Sequence, residues 1–197
     1  MKIEELKQKG NVTVTEVKNG CVKVSADKGF ILKGDDTYTS EIYCDKDAEL
    51  QGYEVVAYSD YLRAENKKKY EGKTLEEAKE MLLAEIDAYD TSSAVNGFAL
   101  NDKQRWLDVN LRRSLSYSTN ILKEDGEKTV DIWFDTECKT MDIDNALYML
   151  KELEIYAKQT NNVTHQHRAE VMDLTSIEDV EAYDVTKGYP EKLVFSF

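Results

Sequence analysis

An α+β architecture is expected from three features of the chain. Short β-rich runs crowd its first sixty residues, an amphipathic helical pattern occupies residues 74–89, and strand and helix patterns alternate from there onward. The arrangement they predict is a small antiparallel N-terminal sheet over 1–62, a charged linker and amphipathic helix over 63–91, and a C-terminal α+β domain over 92–197. With 41% apolar residues among 197, the chain can bury a core although 33% of its residues are charged.

Val12, Val14 and Val17 approximate alternation, Asn19-Gly20 follows, and Val22 and Val24 alternate with Cys21 and Lys23. Asn-Gly accepts the positive φ of a two-residue turn, so this stretch reads as a hairpin. Phe30-Ile31-Leu32, residues 37–43 and residues 53–58 supply further strand-like runs. Gly34-Asp35-Asp36 and the charged stretch 45–52 separate them, giving four or five short strands in all. Sixty residues bury a small share of their surface, so such a sheet is expected to lean on something else.

Residues 63–72, six of the ten charged, read as a linker. Thr74-Leu75-Glu76-Glu77 then offers a capping box, and Leu75, Ala78, Leu82 and Ile86, with Met81 and Tyr89 beside them, recur at helical spacing. Asp90-Thr91-Ser92-Ser93 ends the helix and reads as a hinge, a second place after 61–74 where a protease is expected to cut.

Residues 95–100 suggest a short strand. Leu107, Leu111, Leu115, Ile121 and Leu122 mark a helix starting at about Asp108 and stopped by Glu124-Asp125-Gly126. Residues 130–134 and 138–141 read as two strands joined by Asp135-Thr136-Glu137. Asp142 or Asp144 caps a long helix with the stripe Ala146, Leu147, Leu150, Leu153 and Ala157, which either breaks at Asn161-Asn162 or continues to Leu174. Thr175-Ser176-Ile177-Glu178 is a second capping box, opening a short helix to about Tyr183. Gly188-Tyr189-Pro190 turns the chain into Leu193-Val194-Phe195.

Charge and motifs narrow the function. The net charge is −13, and residues 1–60, 61–90 and 91–197 each hold more acids than bases. The basic run Lys67-Lys68-Lys69 lies between Glu65 and Glu71. Phosphate recognition needs clustered cations, so nucleic-acid binding is not expected. No run of about 18 apolar residues exists to span a membrane. The start, Met1-Lys2-Ile3-Glu4-Glu5, lacks the apolar core of a secretory signal, so the chain is expected to stay in the cytoplasm. Cys21, Cys44 and Cys138 have no CxxC spacing and read as packed, reduced thiols.

No G-x-S-x-G, GxGxxG or GxxxxGK is present. His165 and His167, two apart on a helix, point in different directions, and Glu170 still leaves a metal site short of ligands. No catalytic residue, cofactor or metal is therefore expected. Twelve tyrosines against five phenylalanines favour a binding or assembly protein, since tyrosine joins contact area to a polar tip. The candidate partner-binding residues are Tyr38, Tyr43, Tyr53, Tyr58 and Tyr61 near the sheet and Leu75, Leu82 and Ile86 on the helix, whose stripe could equally pack on its own chain.

The C-terminal half carries, in order, Asn96-Gly97-Phe98, Trp106-Leu107-Asp108, Arg112, a strand ending in Trp133-Phe134, an Asp142-containing strand-to-helix step, Leu153-Glu154-Ile155-Tyr156-Ala157, Asn162-Val163-Thr164 with His167, and a run from Tyr183 to Pro190. In this order it resembles a family of proteins of tailed phages and prophages of gut anaerobes, with a domain of unknown function encoded in or beside tail-fibre genes. The layout of small β domain, helix and C-terminal domain is also similar to that of tail-fibre assembly proteins. The resemblance implies a non-enzymatic, tail-associated structural protein found in the virion and in the host cytoplasm during assembly. It would contact other virion or tail proteins and be a homo-oligomer or present in many copies. The alternative it implies is an assembly chaperone absent from the mature particle.

Physical chemistry gives the same residues plainer roles. Trp106, Trp133, Tyr156 and Tyr183 are expected in the core or at its rim, and Arg112 and His167 are expected to satisfy buried acceptors. Asn96-Gly97 suits a turn, residues 186–190 a rigid corner, and Thr164 a helix cap with His167 at its N3 position.

Overall fold

The structure, a computed structural model, describes residues 2–18, 20–35, 37–50 and 52–197. The chain is α+β, as expected, and divides into two compact units, Met1–Ala78 with Thr175–Asp184 and Lys79–Leu174 with Val185–Phe197. These units do not follow the linear segments 1–62, 63–91 and 92–197. The first takes in the charged stretch and a short piece from near the C-terminus, and helix Leu75–Thr91 has residues in both.

The first unit opens with α1 (Ile3–Lys9), followed by β1 (Val12–Lys18), β2 (Cys21–Ala26), β3 (Phe30–Lys33), β4 (Tyr38–Thr39), β5 (Glu41–Asp45), β6 (Glu54–Ala57) and α2 (Tyr58–Lys69). The expected 12–26 hairpin forms as an antiparallel pair, with Val14 opposite Val24 and Val12 opposite Ala26. An irregularity between Glu16 and Lys18 adds one residue, and Val17 is turned outward, 49% exposed. Gly20 takes φ +79° at the turn, and Asn19 lies outside the described residues, as do Asp36 and Gln51 of the two expected loops.

The single N-terminal sheet expected from the sequence is corrected to two three-stranded sheets, β1-β2-β5 and β4-β3-β6. The run 37–43 is not one strand. At Ser40 the chain leaves β3, where Thr39 pairs with Leu32, and joins β2, where Glu41 pairs with Ser25. Ile3 and Leu6 of α1 bury against Val22, Val24, Leu32 and Leu50, which supplies the support that so small a sheet requires.

The charged stretch 63–72 is also corrected. It is largely helix α2, where Glu65 and Lys68 form an i,i+3 ion pair at 2.8 Å. Asn66 turns inward and its Nδ2 donates to the Glu181 carbonyl at 2.9 Å. That carbonyl ends α6 (Ile177–Glu181), which is capped one residue later than expected: Ser176 Oγ, in place of Thr175, accepts from the Asp179 N–H at 3.1 Å. The box at Thr74 does form, with Glu77 N–H to Thr74 Oγ1 at 3.3 Å and Thr74 N–H to Glu77 Oε2 at 2.9 Å. It opens α3 (Leu75–Thr91).

The second unit continues with β7 (Phe98–Leu100), β8 (Lys103–Arg105), α4 (Val109–Glu124), β9 (Thr129–Phe134), β10 (Glu137–Asp142), α5 (Ile143–Asp173) and β11 (Val194–Phe195). β11 lies parallel to β7, which pairs antiparallel with β8, and β9 and β10 form a separate hairpin. Asp142 caps α5, accepting from the Asp144 and Asn145 N–H groups, and the helix runs unbroken through Asn161-Asn162.

The core joins Phe98, Leu107, Val130, Ile132, Phe134, Leu150, Leu153 and Phe195, among others. Strict alternation along β9 puts Val130, Ile132 and Phe134 inside, so Trp133 faces out at 59% exposure and is corrected from a core position. On α4 the inward face is Arg112, Leu115, Thr119 and Leu122, whose 3-4-3 spacing leaves Leu111 and Ile121 outside the core. No helix among the described residues is long and apolar enough to cross a membrane.

Candidate functional site

In the first unit, α2 begins directly at the end of β6, with the Tyr58 N–H donating to the Gly29 carbonyl at 2.9 Å. Tyr58 and Tyr61 are three apart and share a face of its first turn. β4 borders β3 on the side away from β6 and brings Tyr38 to the same place. The Tyr38 and Tyr61 ring centroids are 4.4 Å apart with a 39° tilt, and those of Tyr58 and Tyr61 are 5.7 Å apart with a 51° tilt. All three tyrosines are half-buried.

Two lysines electrostatically face this cluster. Lys33 is paired with Glu54 and Lys68 with Glu65, each at 2.8 Å, and the carboxylate beside each ammonium raises its pKa. Lys68 also lines a cleft of about 460 Å³ on the same unit, with Ala64, Tyr70 and Ile177 among its apolar walls and Lys67 and Lys73 at its margin. Tyr70 is 1% exposed, and the Lys69 ammonium lies 4.9 Å from its ring centroid. Glu71 and Glu181 line the same cleft, so its apolar wall is edged by charges of both signs.

The structure thus gathers three of the five candidate tyrosines. Tyr43 stands apart on β5, 59% exposed, its hydroxyl donating to Glu41 Oε1 at 3.1 Å. Lys23 and then Tyr43 lower the Glu41 pKa, the Lys23 ammonium lying 2.6 Å away. Tyr53 packs against the Ile3–Leu50 core cluster and is a structural residue. The helix residues are corrected: Leu82 and Ile86 are 1% and 0% exposed, covered by the chain itself and closed to any outside partner, while Leu75 is half-buried. The Lys33, Lys67, Lys68 and Lys73 surroundings were not read from the sequence, because the lysines around Glu65 and Glu71 become a surface only once 58–69 is helical.

In the second unit His165 is exposed and His167 is buried. His167 Nε2–H donates to the Lys187 carbonyl at 2.8 Å, and its ring stacks on Tyr189 at 5.6 Å and 23°. Thr164 is corrected from helix cap to helix interior, bonded to both Asp90 and Tyr189. Tyr156 donates to the Val95 carbonyl at 2.8 Å, and Asn96 Nδ2 to the Asp90 carbonyl at 2.9 Å. The segment read as a hinge is therefore fixed by side chains of α5 and of its own turn.

Arg112, 3% exposed, donates to the Leu107 carbonyl and to Glu154 Oε1 at 2.9 Å, its guanidinium 5.1 Å from the Trp106 ring centroid. Arg112, Tyr156, Thr164 and His167 thus serve buried structural networks. Among the described residues no three of His, Cys, Asp or Glu converge as metal ligands. Burial raises the thiol pKa values of Cys44 and Cys138. Compared with protein families, curated proteins and solved structures, the chain finds no match.

Proposed function

We propose that this chain is a non-enzymatic, tail-associated structural protein of a tailed-phage particle, acting through protein contacts. The observation that supports the contact role is the convergence of Tyr38, Tyr58 and Tyr61 on one half-buried patch, with Lys68 shared between that patch and an apolar cleft. Aromatic side chains beside an apolar pocket are enriched at the centres of protein-binding surfaces. The phage assignment rests on the ordered residues from Asn96 to Pro190 and their resemblance to proteins encoded beside tail-fibre genes. Multiple copies in a symmetric particle would let a modest patch suffice.

Mass spectrometry of purified particles tests the assignment. Peptides of this chain retained in particles at stoichiometric amounts are the expected result. Peptides present in the infected cell and missing from particles would put an assembly chaperone in its place. The patch is tested with Tyr61→Ala and Lys68→Glu in the full chain, which should abolish co-purification with the tail proteins while leaving the melting temperature within a few degrees.

A further inference from the structure

The second unit contains a polar cleft of about 550 Å³, bordered by Ser93, Asn96, Gln104, Arg105, Trp106 and Lys192. That volume accommodates a monosaccharide-sized ligand. Its chemistry is unlike that of the chain as a whole, which carries a net charge of −13. Beside the cleft, the Glu137 carboxylate is shared by Arg105, by Lys103 at 3.1 Å and by Lys139 at 3.3 Å. One anion against three cations leaves a local positive excess. Arg105 Nε is buried with no hydrogen-bond partner among the described residues. Lys192, exposed on the cleft, is in no ion pair among them.

Gly97 keeps this space open. A Cβ there would lie 3.5 Å from Lys192 Nζ and 3.8 Å from Gln104 Oε1, so the missing side chain leaves room where the ammonium and the amide converge. Gly97 has no positive φ, so its backbone does not itself require glycine. Asn96 spends its Nδ2 on the Asp90 carbonyl and retains Oδ1 as an acceptor. Gln104 adds a donor and an acceptor, Ser93 a hydroxyl, and Trp106 and Phe134 an apolar surface.

We propose that this cleft binds a small anionic, polyhydroxylated ligand of the sugar-acid or sugar-phosphate type. The oxyanion is held by Lys192 and Arg105, the hydroxyls by Gln104, Asn96 and Ser93, and the C–H face by Trp106. Asp135 at the margin accepts a hydroxyl and repels a second anion. This site is independent of the tyrosine patch.

The test is calorimetric or NMR titration of the full chain with galacturonate, glucose 6-phosphate, glucose and inorganic phosphate. Saturable binding of galacturonate, of glucose 6-phosphate or of both supports the proposal and assigns the anion, with glucose and inorganic phosphate at least about tenfold weaker. Lys192→Gln should weaken the acid by about tenfold or more, the loss of one charged hydrogen bond. Gly97→Val should block binding with no change of charge, and Gly97→Ala should weaken it with the least perturbation of the fold. Absence of saturable binding by both acids overturns the proposal, as does glucose or inorganic phosphate binding as tightly as they do, or wild-type affinity in Lys192→Gln and Gly97→Val proteins that melt like the parent.

Discussion

Thr164, inside α5, donates its hydroxyl to Asp90 Oδ1 in the last turn of α3 at 2.6 Å, and the Tyr189 hydroxyl lies 2.9 Å from Thr164 Oγ1. A single hydroxyl thereby links a helix interior, a helix end and the corner at 186–190. Thr164→Val keeps the shape and removes the donor, leaving a carboxylate without that bond. The expected loss is about 2 kcal/mol by denaturant unfolding, largely restored in Thr164→Ser. Limited proteolysis should spare residues 90–97 in the parent and cut there in Thr164→Val.

The β9 strand offers a sharper contrast between neighbours. Ile132 is fully buried, while Trp133 is 59% exposed on the opposite face. Ile132→Ala should cost roughly 2–4 kcal/mol through lost transfer energy and the cavity left behind. Trp133→Ala should change stability by no more than about 0.5 kcal/mol, as for an ordinary surface substitution. The reverse order of costs would mean that the strand is in the other register.

Acid should act through Glu137. Arg105, then Lys103 and Lys139, hold its carboxyl down to about 2, from an ordinary value of 4.5. A depressed folded pKa contributes stability that is fully present above 4.5 and is lost as pH falls through about 2. Glu137→Gln should therefore flatten the acid limb of the stability curve between these values. Its γ-carboxyl NMR titration should place the midpoint near the lower one.

Elements with a clean period were readable from the sequence: the hairpins, the capping-box start of α3, the start of α4 near Asp108, and the start of α5, for which Asp142 was one of two candidate caps. Helix α2, and the inward-facing polar positions of α3 and α4, were missed because there polar residues do the packing. Asn66 anchors α2 through a backbone carbonyl, Lys79 reaches the Met172 carbonyl at 2.9 Å, and Arg112 and Thr119 occupy the inward face of α4. Each breaks the apolar period that marks a helix face. The split at Ser40 was hidden because residues on both sides are β-formers, and only the pairing partner changes. Of the candidate tyrosines, those at 38, 58 and 61 are the ones the structure brings together. Composition could not separate these from Tyr53, which the core absorbs, because burial depends on which strand faces which sheet.

Alkali should act through two tyrosines of the second unit. Burial raises the pKa of Tyr156, whose hydroxyl donates to the Val95 carbonyl. Burial is also the main cause for Tyr189, with Asp90 adding to it and the Thr164 hydrogen bond opposing it. A phenol whose folded pKa lies above its unfolded value of 10.0 binds its proton more tightly in the native state. Its contribution is complete below that pH and is lost as pH rises through the folded pKa. Unfolding free energy should therefore decline above about pH 10, and Tyr156→Phe or Tyr189→Phe should each make that decline shallower. Ultraviolet titration of the native chain, compared with that of Tyr156→Phe and Tyr189→Phe, should show each of these two phenols ionising above pH 10.0. Ionisation of all twelve tyrosines in one step before unfolding would show that neither ring is protected.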